Sequence, residues 1–177
     1  EGPYLRYQTP IQLLRDSSTI TINPELRYGF TDKRLKYQLD VDYFYDLIKP
    51  KRIGITAGSI VSQFNENTPI LPIINTFYTL GLGKNYLKLY QKEFVTIDHD
   101  WEVVNGFTLN TSAEFSRRSP LYNKTYFTLI ESLEKFTPNN PYIAAAPIDS
   151  SGFETHNAIT LSMGLNYTFG QAYRYTF

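Results

Sequence analysis

The sequence predicts an all-β protein, an antiparallel transmembrane β-barrel, on three observations: two-faced alternation, long strands, and connections of two length classes. The alternation is clearest over 34–45, where apolar side chains occupy the odd positions and, except for Phe44, polar ones the even positions. Successive side chains in a strand point to opposite faces, so this strand has one apolar and one charged face. An ordinary strand has about 5–6 residues, whereas a tilted membrane-spanning strand needs roughly 9–11, and this one is long enough to span.

Composition narrows the possible functions. The 177 residues are enough for one domain, and 17 Lys and Arg balance 17 Asp and Glu, so no excess charge points to nucleic acid. The absence of cysteine excludes disulfides and thiolate metal sites. Aromatic residues make up 16% of the chain, which favours strands and is typical of barrels with aromatic rows at both membrane interfaces.

The same alternation recurs in five further segments, 19–30, 53–61, 94–103, 107–118 and 155–169. Thr31 to Lys33 forms a predicted tight turn, and Asn105-Gly106 is the strongest short hairpin signal in the sequence. The first residues, 1–18, are limited to a sheet edge or an irregular lead-in by their prolines.

Two long connections are predicted near 62–93 and 119–153, within a single β-barrel region over 1–177. The stretch 73–90 fits a short helix or an extra strand. Counting strands places both long connections on the same side, as in outer-membrane barrels, which have short periplasmic turns and long outer loops. Alternation alone also fits a soluble β-sandwich or a lipocalin-like ligand-binding protein, in which the apolar faces would form a core.

Several short stretches also resemble a known family. They are Y-G-F-T-D-K-R-L-K-Y (28–37), Q-F-N (63–65), N-Y-L-K-L-Y (85–90), N-G-F (105–107), R-R-S-P-L-Y-N (117–123), T-P-N-N-P-Y (137–142) and the final Y-T-F-G-Q-A-Y-R-Y. In order and spacing they are similar to Bacteroidota outer-membrane proteins of unknown function, in which a carboxypeptidase-regulatory-like domain precedes a large barrel. The resemblance implies a barrel region without established catalytic residues.

The resemblance also predicts whether the 177 residues form a whole barrel or a part of one. Chains of that family are several times longer and carry the leading domain, so the 177 residues are expected to be a fragment of a larger barrel. The alternative is a small complete barrel of about eight strands, because Phe177 follows Tyr173 and Tyr175 as a terminal aromatic assembly signal would.

The polar face supplies the candidate functional residues. Those predicted to face a barrel lumen are Arg34, Lys36, Asp40, Asp42, Asp98, Asp100, Glu102, Glu114, Arg118 and His156. Asp98, Asp100 and Glu102 share one strand face and could select cations in a lumen. The favoured interpretation is an ordinary polar lumen, in which neighbouring Arg and Lys neutralise them.

A catalytic role is the alternative for His156, because some outer-membrane barrels modify lipid with a His and a Ser or Asp. Ser162 shares its face but lies nearly 20 Å along the strand. His99 falls on the apolar face, where a bulge or an interface position would explain it.

The prediction is therefore an outer-membrane β-barrel protein with a structural, transport or assembly role and no enzyme activity. We expect no cofactor and no metal. The expected partners are outer-membrane lipid and further outer-membrane subunits or the remainder of the chain, with no nucleic acid. The expected location is the bacterial outer membrane, and a lipid-modifying barrel enzyme is the alternative there.

Overall fold

The fold is an antiparallel β-sheet of eight strands with one short helix, in a computed structural model that describes residues 4–15, 18–30, 33–46, 49, 51–65, 68–123, 127–129, 136–139 and 154–172. The elements are β1 (Tyr4–Gln8), β2 (Ile11–Arg15), β3 (Ser18–Gly29), β4 (Arg34–Asp46), β5 (Lys51–Gln63), α1 (Pro72–Leu82), β6 (Leu89–Val104), β7 (Phe107–Pro120) and β8 (His156–Tyr167). The all-β antiparallel prediction is confirmed. The sheet described is open, because β1 and β8 lie at opposite ends of the strand order.

Pairing along the first edge of the sheet is broken where each of the two strands carries a proline. β1 pairs with β3 up to Gln8 opposite Glu25, and β2 resumes the pairing at Ile11 opposite Ile22. The gap holds Pro10 on one strand and Pro24 on the other. Proline has no N–H to donate to a ladder, so the break falls where two donors are missing. The predicted edge position of this segment agrees with the structure.

The hairpin at Asn105-Gly106 has the predicted position. Gly106 has a φ of 81°, which L residues rarely adopt, and a Cβ there would collide with the carbonyl oxygen of Thr168. The Gly106 N–H donates to Oε1 of Glu102 at 2.7 Å, and the register shifts between Glu102 and Val104. The bulge thus turns the Glu102 carboxylate onto the hairpin backbone.

Burial is inverted relative to a water-soluble sheet. The apolar faces are exposed along β4, β6 and β8, with Leu161 at 75%. The polar face is the covered one, with Lys36 at 6% and Glu102 at 2%. Among the described residues the only buried large apolar side chains are Leu87 and Tyr90, both at one end of the sheet. This distribution fits a sheet that curls toward its polar face.

β5 and β6 begin two and five residues earlier than predicted. β5 begins at Lys51 and not at 53, and β6 begins at Leu89 and not at 94. The added residues carry Gln91 and Glu93 on the otherwise apolar face, which ends the alternation although the backbone ladder continues. Periodicity reports which face of a strand is apolar and does not report backbone hydrogen bonds. It therefore misses paired residues whose side chains do not alternate.

The stretch that fitted a helix or a strand contains the helix α1, which begins after Leu71 with Pro72 in its first turn and ends at Gly83. No helix in the described ranges has the length and apolar character needed to cross a membrane. The first two residues of the tight turn predicted at Thr31 to Lys33, and the terminal aromatics from 173 onward, lie outside the described residues.

Candidate functional site: the polar face and the loop junction

The ten predicted polar candidates lie on one face of the sheet. The register connects them strand to strand: Arg27 with Lys36, Asp40 with Thr56, Arg52 with Asp100, Thr96 with Glu114, and Lys92 with Arg118. His156 lies opposite Arg118, and Arg34 is two residues before Lys36 on the same strand. Sequence reasoning omitted Arg52 and Lys92, which belong to the same face.

Arg52 is the centre of the acidic part of this face. Its guanidinium Nε donates to Oδ2 of Asp100 at 2.8 Å, and its two terminal nitrogens contact the carboxylates of Asp42 and Asp98. One cation therefore connects three carboxylates on β4 and β6, the two neighbours of its own strand. We call Arg52, Asp42, Asp98 and Asp100 the arginine cluster.

A glycine makes the arginine cluster possible. Gly54 is paired with Asp42 on one side and with Asp98 on the other. A Cβ on Gly54 would lie within 2.8 Å of Asp98 Cγ and 2.7 Å of Arg52 Nη1. The guanidinium therefore occupies the space above this residue, which any side chain would fill. The closeness of the groups explains why the residue between two carboxylates is a glycine.

Amide side chains extend the arginine cluster to the edge of the sheet. Asn110 Nδ2 donates to Oδ1 of Asp100 at 2.6 Å, and Asn166 Nδ2 donates to Oδ1 of Asn110 at 2.7 Å. The polar chain thus crosses five strands, from Asp42 on β4 to Asn166 on β8. Such a chain holds the strands in register through their side chains as well as their backbones.

The three carboxylates that share one face of β6 have separate partners. Asp98 and Asp100 contact Arg52, whereas Glu102 accepts hydrogen bonds from the Gly106 N–H and from Gln171 Nε2 at 3.0 Å. In the part of the chain that the structure describes, no three His, Asp or Glu side chains are grouped as metal ligands would be.

His156 is exposed at the start of β8, and its Nδ1 lies 3.0 Å from the carbonyl oxygen of Glu154, to which it donates. Ser162 is six positions along the same strand, about 20 Å away. The structure therefore does not bring this serine to the histidine.

His99 is explained by an aromatic row on the apolar face. Its Nε2 lies 2.8 Å from Tyr45 Oη, and its ring stacks between Tyr45 and Trp101 with centroids 6.1 Å from each. Lys51 Nζ lies 5.9 Å from the Tyr45 ring centre. The row is at the short-turn end of the sheet, so His99 has a polar partner although it projects from the apolar face.

The second polar assembly, which sequence reasoning did not predict, lies at the opposite end of the sheet. There the two long connections hydrogen-bond to each other: the Leu129 N–H donates to the Leu80 carbonyl at 2.7 Å, and the Thr137 N–H to the Gly83 carbonyl at 2.9 Å. We call Asn75, Asn85, Lys88, Asn123 and Asn139, which join these connections, the loop junction.

Asn139 replaces a missing rung of the β-ladder. Pairing of β6 with β7 ends at Tyr90 opposite Pro120, a residue without an N–H. The Asn139 amide then accepts from the Leu89 N–H at 2.8 Å and donates to the carbonyls of Leu89 at 2.7 Å and Leu121 at 2.6 Å. A buried side-chain amide thus pairs with both strands where they diverge.

Asn75 performs a similar function for the helix. Its Oδ1 accepts from the N–H groups of Tyr86 and Leu87 at 2.8 and 2.9 Å, and its Nδ2 donates to Asn85 at 3.0 Å. Asn85 donates to Asn123 at 3.3 Å, and Asn123 donates to the Thr137 carbonyl at 3.1 Å. The relay therefore links α1, the approach to β6, the exit of β7 and the second long connection.

Lys88 adds a charge to the otherwise neutral loop junction. Its Nζ donates to the carbonyl of Pro138, itself fully buried. Burial disfavours the charged amine and lowers the pKa of Lys88 to about 8. This lysine precedes the first residue of β6.

Stretches that carried the family resemblance meet at this junction. The ring of Phe64, from the stretch 63–65, lies 4.8 Å from the ring of Tyr90. The other stretches supply members of the loop junction: Asn85 and Lys88 from 85–90, Asn123 from 117–123 and Asn139 from 137–142.

Comparison with known proteins places the chain in a family. The model of the C-terminal domain of a family of unknown function, DUF5686, matches residues 1–176. No curated protein and no solved structure matches the chain. The match agrees with the resemblance in one respect, a domain family of unknown function. The chain belongs to the DUF5686 C-terminal domain family.

Proposed function

We propose that this chain forms part of an outer-membrane β-barrel, with its apolar face in contact with lipid and its polar face lining the interior. The observation that carries the proposal is the inverted burial, with exposed apolar and covered polar side chains on the same strands. In water this arrangement exposes the wrong face, whereas in a bilayer the apolar face meets lipid tails. The proposed role is structural, transport or assembly-related, without catalysis.

The dimensions support the proposal. The apolar face of β4 extends from Leu35 to Tyr45, about 33 Å along a strand at roughly 3.3 Å per residue. At a tilt of about 40° this corresponds to about 25 Å across the membrane, the usual height of a barrel's apolar band. Aromatic pairs lie at both ends of the sheet, Tyr28 with Phe30 and Tyr167 with Phe169, where interface rows are expected.

The two open edges of the sheet require further strands for a closed barrel. Unpaired backbone groups are too costly in a lipid environment, so only closed barrels span with strands. Further strands of the same polypeptide, or of another outer-membrane subunit, complete the sheet beyond β1 and β8. A Bacteroidota source and a preceding carboxypeptidase-regulatory-like domain belong to the same proposal, supported by the resemblance, and the full-length coding sequence tests both.

The first experiment is the mobility of the membrane-extracted, full-length protein on a semi-native gel, boiled and unboiled. A closed barrel resists detergent and migrates faster unboiled. Recovery of the protein in the aqueous fraction with no mobility shift would replace this proposal with a soluble β-sandwich.

A matched pair of variants sharpens the test. Leu161→Arg places a cation on the apolar face, and Ser162→Arg places one on the polar face of the same exposed strand. A lipid-facing arginine near the bilayer centre costs about 2–4 kcal/mol, whereas an exposed surface substitution in water changes stability by only about 0.5 kcal/mol. We expect Leu161→Arg alone to reduce the yield of heat-modifiable protein. Equal yields would contradict lipid contact.

A further inference from the structure

The aromatic row on the apolar face flanks a lysine. Lys51 pairs directly with Trp101 on the neighbouring strand, so their Cβ atoms are about 5 Å apart on the same face. On the other side, Nζ of Lys51 lies 5.9 Å from the ring centre of Tyr45. The hydrogen bond between Tyr45 and His99 holds that ring beside the ammonium group. A cation is therefore kept at the short-turn end of a face that is apolar through the middle of these strands.

Both side chains of this pair have N–H donors to offer. The ion-pair partner of Lys51 is Asp46, whose Oδ2 lies 3.6 Å from Nζ, too far for a hydrogen bond. An ammonium group has three N–H donors, so this contact leaves it able to bind further acceptors. The indole N–H of Trp101 has no acceptor among the residues that the structure describes, and its side chain is 40% exposed. A cation and a neutral donor thus lie side by side on an accessible surface.

Apolar side chains lead from these donors toward the middle of the sheet. Ile53 and Ile55 follow Lys51 on the same face of β5, about 7 and 13 Å along the strand. Their side chains are 40% and 46% exposed, and Ile97, which pairs with Ile55, is 54% exposed. The surface therefore has N–H donors at one end and an uncovered apolar track leading from them.

We propose that Lys51 and Trp101 bind the phosphate group of a phospholipid whose acyl chains lie along the track from Ile53 to Ile55. The negative phosphate complements the ammonium charge and accepts charge-assisted hydrogen bonds from it. The indole N–H adds a neutral hydrogen bond, as at other sites where one end of the ring is apolar and the other polar. The acyl chains continue the lipid contact proposed for the apolar face. The site therefore rests on the proposed function, because it needs the same membrane.

The test is native mass spectrometry of the full-length, delipidated protein in detergent, titrated with dioleoyl phosphatidylethanolamine. Dioleoylglycerol, which has the same acyl chains and no phosphate, is the reference ligand and is expected to bind more weakly. We expect Lys51→Gln to weaken phospholipid binding about tenfold, and Trp101→Phe, which mainly loses the N–H, about threefold. Lys51→Arg keeps the charge and is expected to bind like the wild type. The matched control is Arg117→Gln, a charge removal at the long-loop end of the same face, which is expected to leave binding unchanged.

Three results would overturn the site. They are equal binding of the phospholipid and dioleoylglycerol, equal weakening by Lys51→Gln and Arg117→Gln, and equal affinity for glycerophosphoethanolamine, the headgroup without acyl chains. The first result would mean that Lys51 only extends toward water, as lysines at membrane interfaces commonly do. The gel separates these outcomes from the barrel proposal. A heat-modifiable protein that fails the lipid titration rejects this site alone, whereas recovery in the aqueous fraction without a mobility shift rejects the barrel proposal and the site with it.

Discussion

The arginine cluster and the loop junction solve the same problem with different chemistry. Both hold neighbouring strands together through side chains, but the arginine cluster uses one cation among three carboxylates, whereas the loop junction relies mainly on neutral amides. The arginine cluster lies where the ladder is already continuous on both sides. The loop junction lies where the ladder ends and backbone groups need partners. The amides of the loop junction therefore replace backbone hydrogen bonds, whereas the charged side chains of the arginine cluster bind one another.

The largest effect is expected from Arg52→Met, which leaves three carboxylates facing one another. Breaking one partner out of a covered ion-pair group costs about 3–5 kcal/mol, and the partial exposure of these groups reduces this to about 2–4 kcal/mol. Thermal unfolding of the detergent-solubilised protein measures the loss. Lys51→Met is the neighbouring control, because Lys51 has one ion pair with Asp46, and that pair is long at 3.6 Å. If carboxylate repulsion is the cause, acidification must restore the stability of Arg52→Met.

The next effect is expected from Asn139→Leu, which leaves the Leu89 N–H and the carbonyls of Leu89 and Leu121 without their amide partner. Unsatisfied buried backbone groups cost about 1–3 kcal/mol. Hydrogen exchange at 85–90 should accelerate while the middle of β6 keeps its protection.

A second variant, Asn139→Asp, keeps an acceptor oxygen but removes the N–H donors of this side chain. Asn65→Asp is its matched control. Asn65 serves as an acceptor for the Thr68 hydroxyl at 2.9 Å, a role that aspartate keeps, whereas Asn139 also donates. Equal protection at 85–90 in Asn139→Asp and the wild type would show that the amide is not a rung.

Gly54→Ala tests the space within the arginine cluster. Its new methyl group would overlap the Arg52 guanidinium and the Asp98 carboxylate, so we expect a loss of about 1–3 kcal/mol, as for other overpacked sites. Gly164→Ala on the same face is the control, because its methyl group would lie 3.7 Å from Asn110 Cβ, an ordinary contact. Comparable thermal midpoints for the two variants would contradict the close approach at Gly54.

The smallest effect concerns Lys88, whose pKa of about 8 lies below the ordinary lysine value of about 10.4. At pH 8 about half of this amine is neutral, so it should be acylated before other lysines, as mass spectrometry can measure. Because the folded pKa is the lower one, Lys88 favours the folded state most above about pH 10.4, and this contribution is lost as pH falls through about 8. Lys88→Arg removes the amine that is acylated. If rapid acylation persists in that variant, the reactive amine belongs to another residue.

The sequence predicted the strands better than the two assemblies. Side-chain partition locates the middle of β4, β6, β7 and β8 because each has a continuous apolar face. Arg52 was missed because its neighbour Lys51 is polar, so the strand start had no alternation; the signal that remained was its position two residues before Gly54. The loop junction depends on residues as distant as Asn75 and Asn139, and no local periodicity connects them.

The prolines Pro10 and Pro24 make the two edges of the sheet unlike each other. They divide the first edge into two segments of five residues, so that edge offers an incoming strand a broken template. At the other edge β8 runs for twelve residues without a proline. The two edges of the sheet therefore differ: the β8 edge presents one unbroken row of backbone groups, whereas the opposite edge presents two short ones.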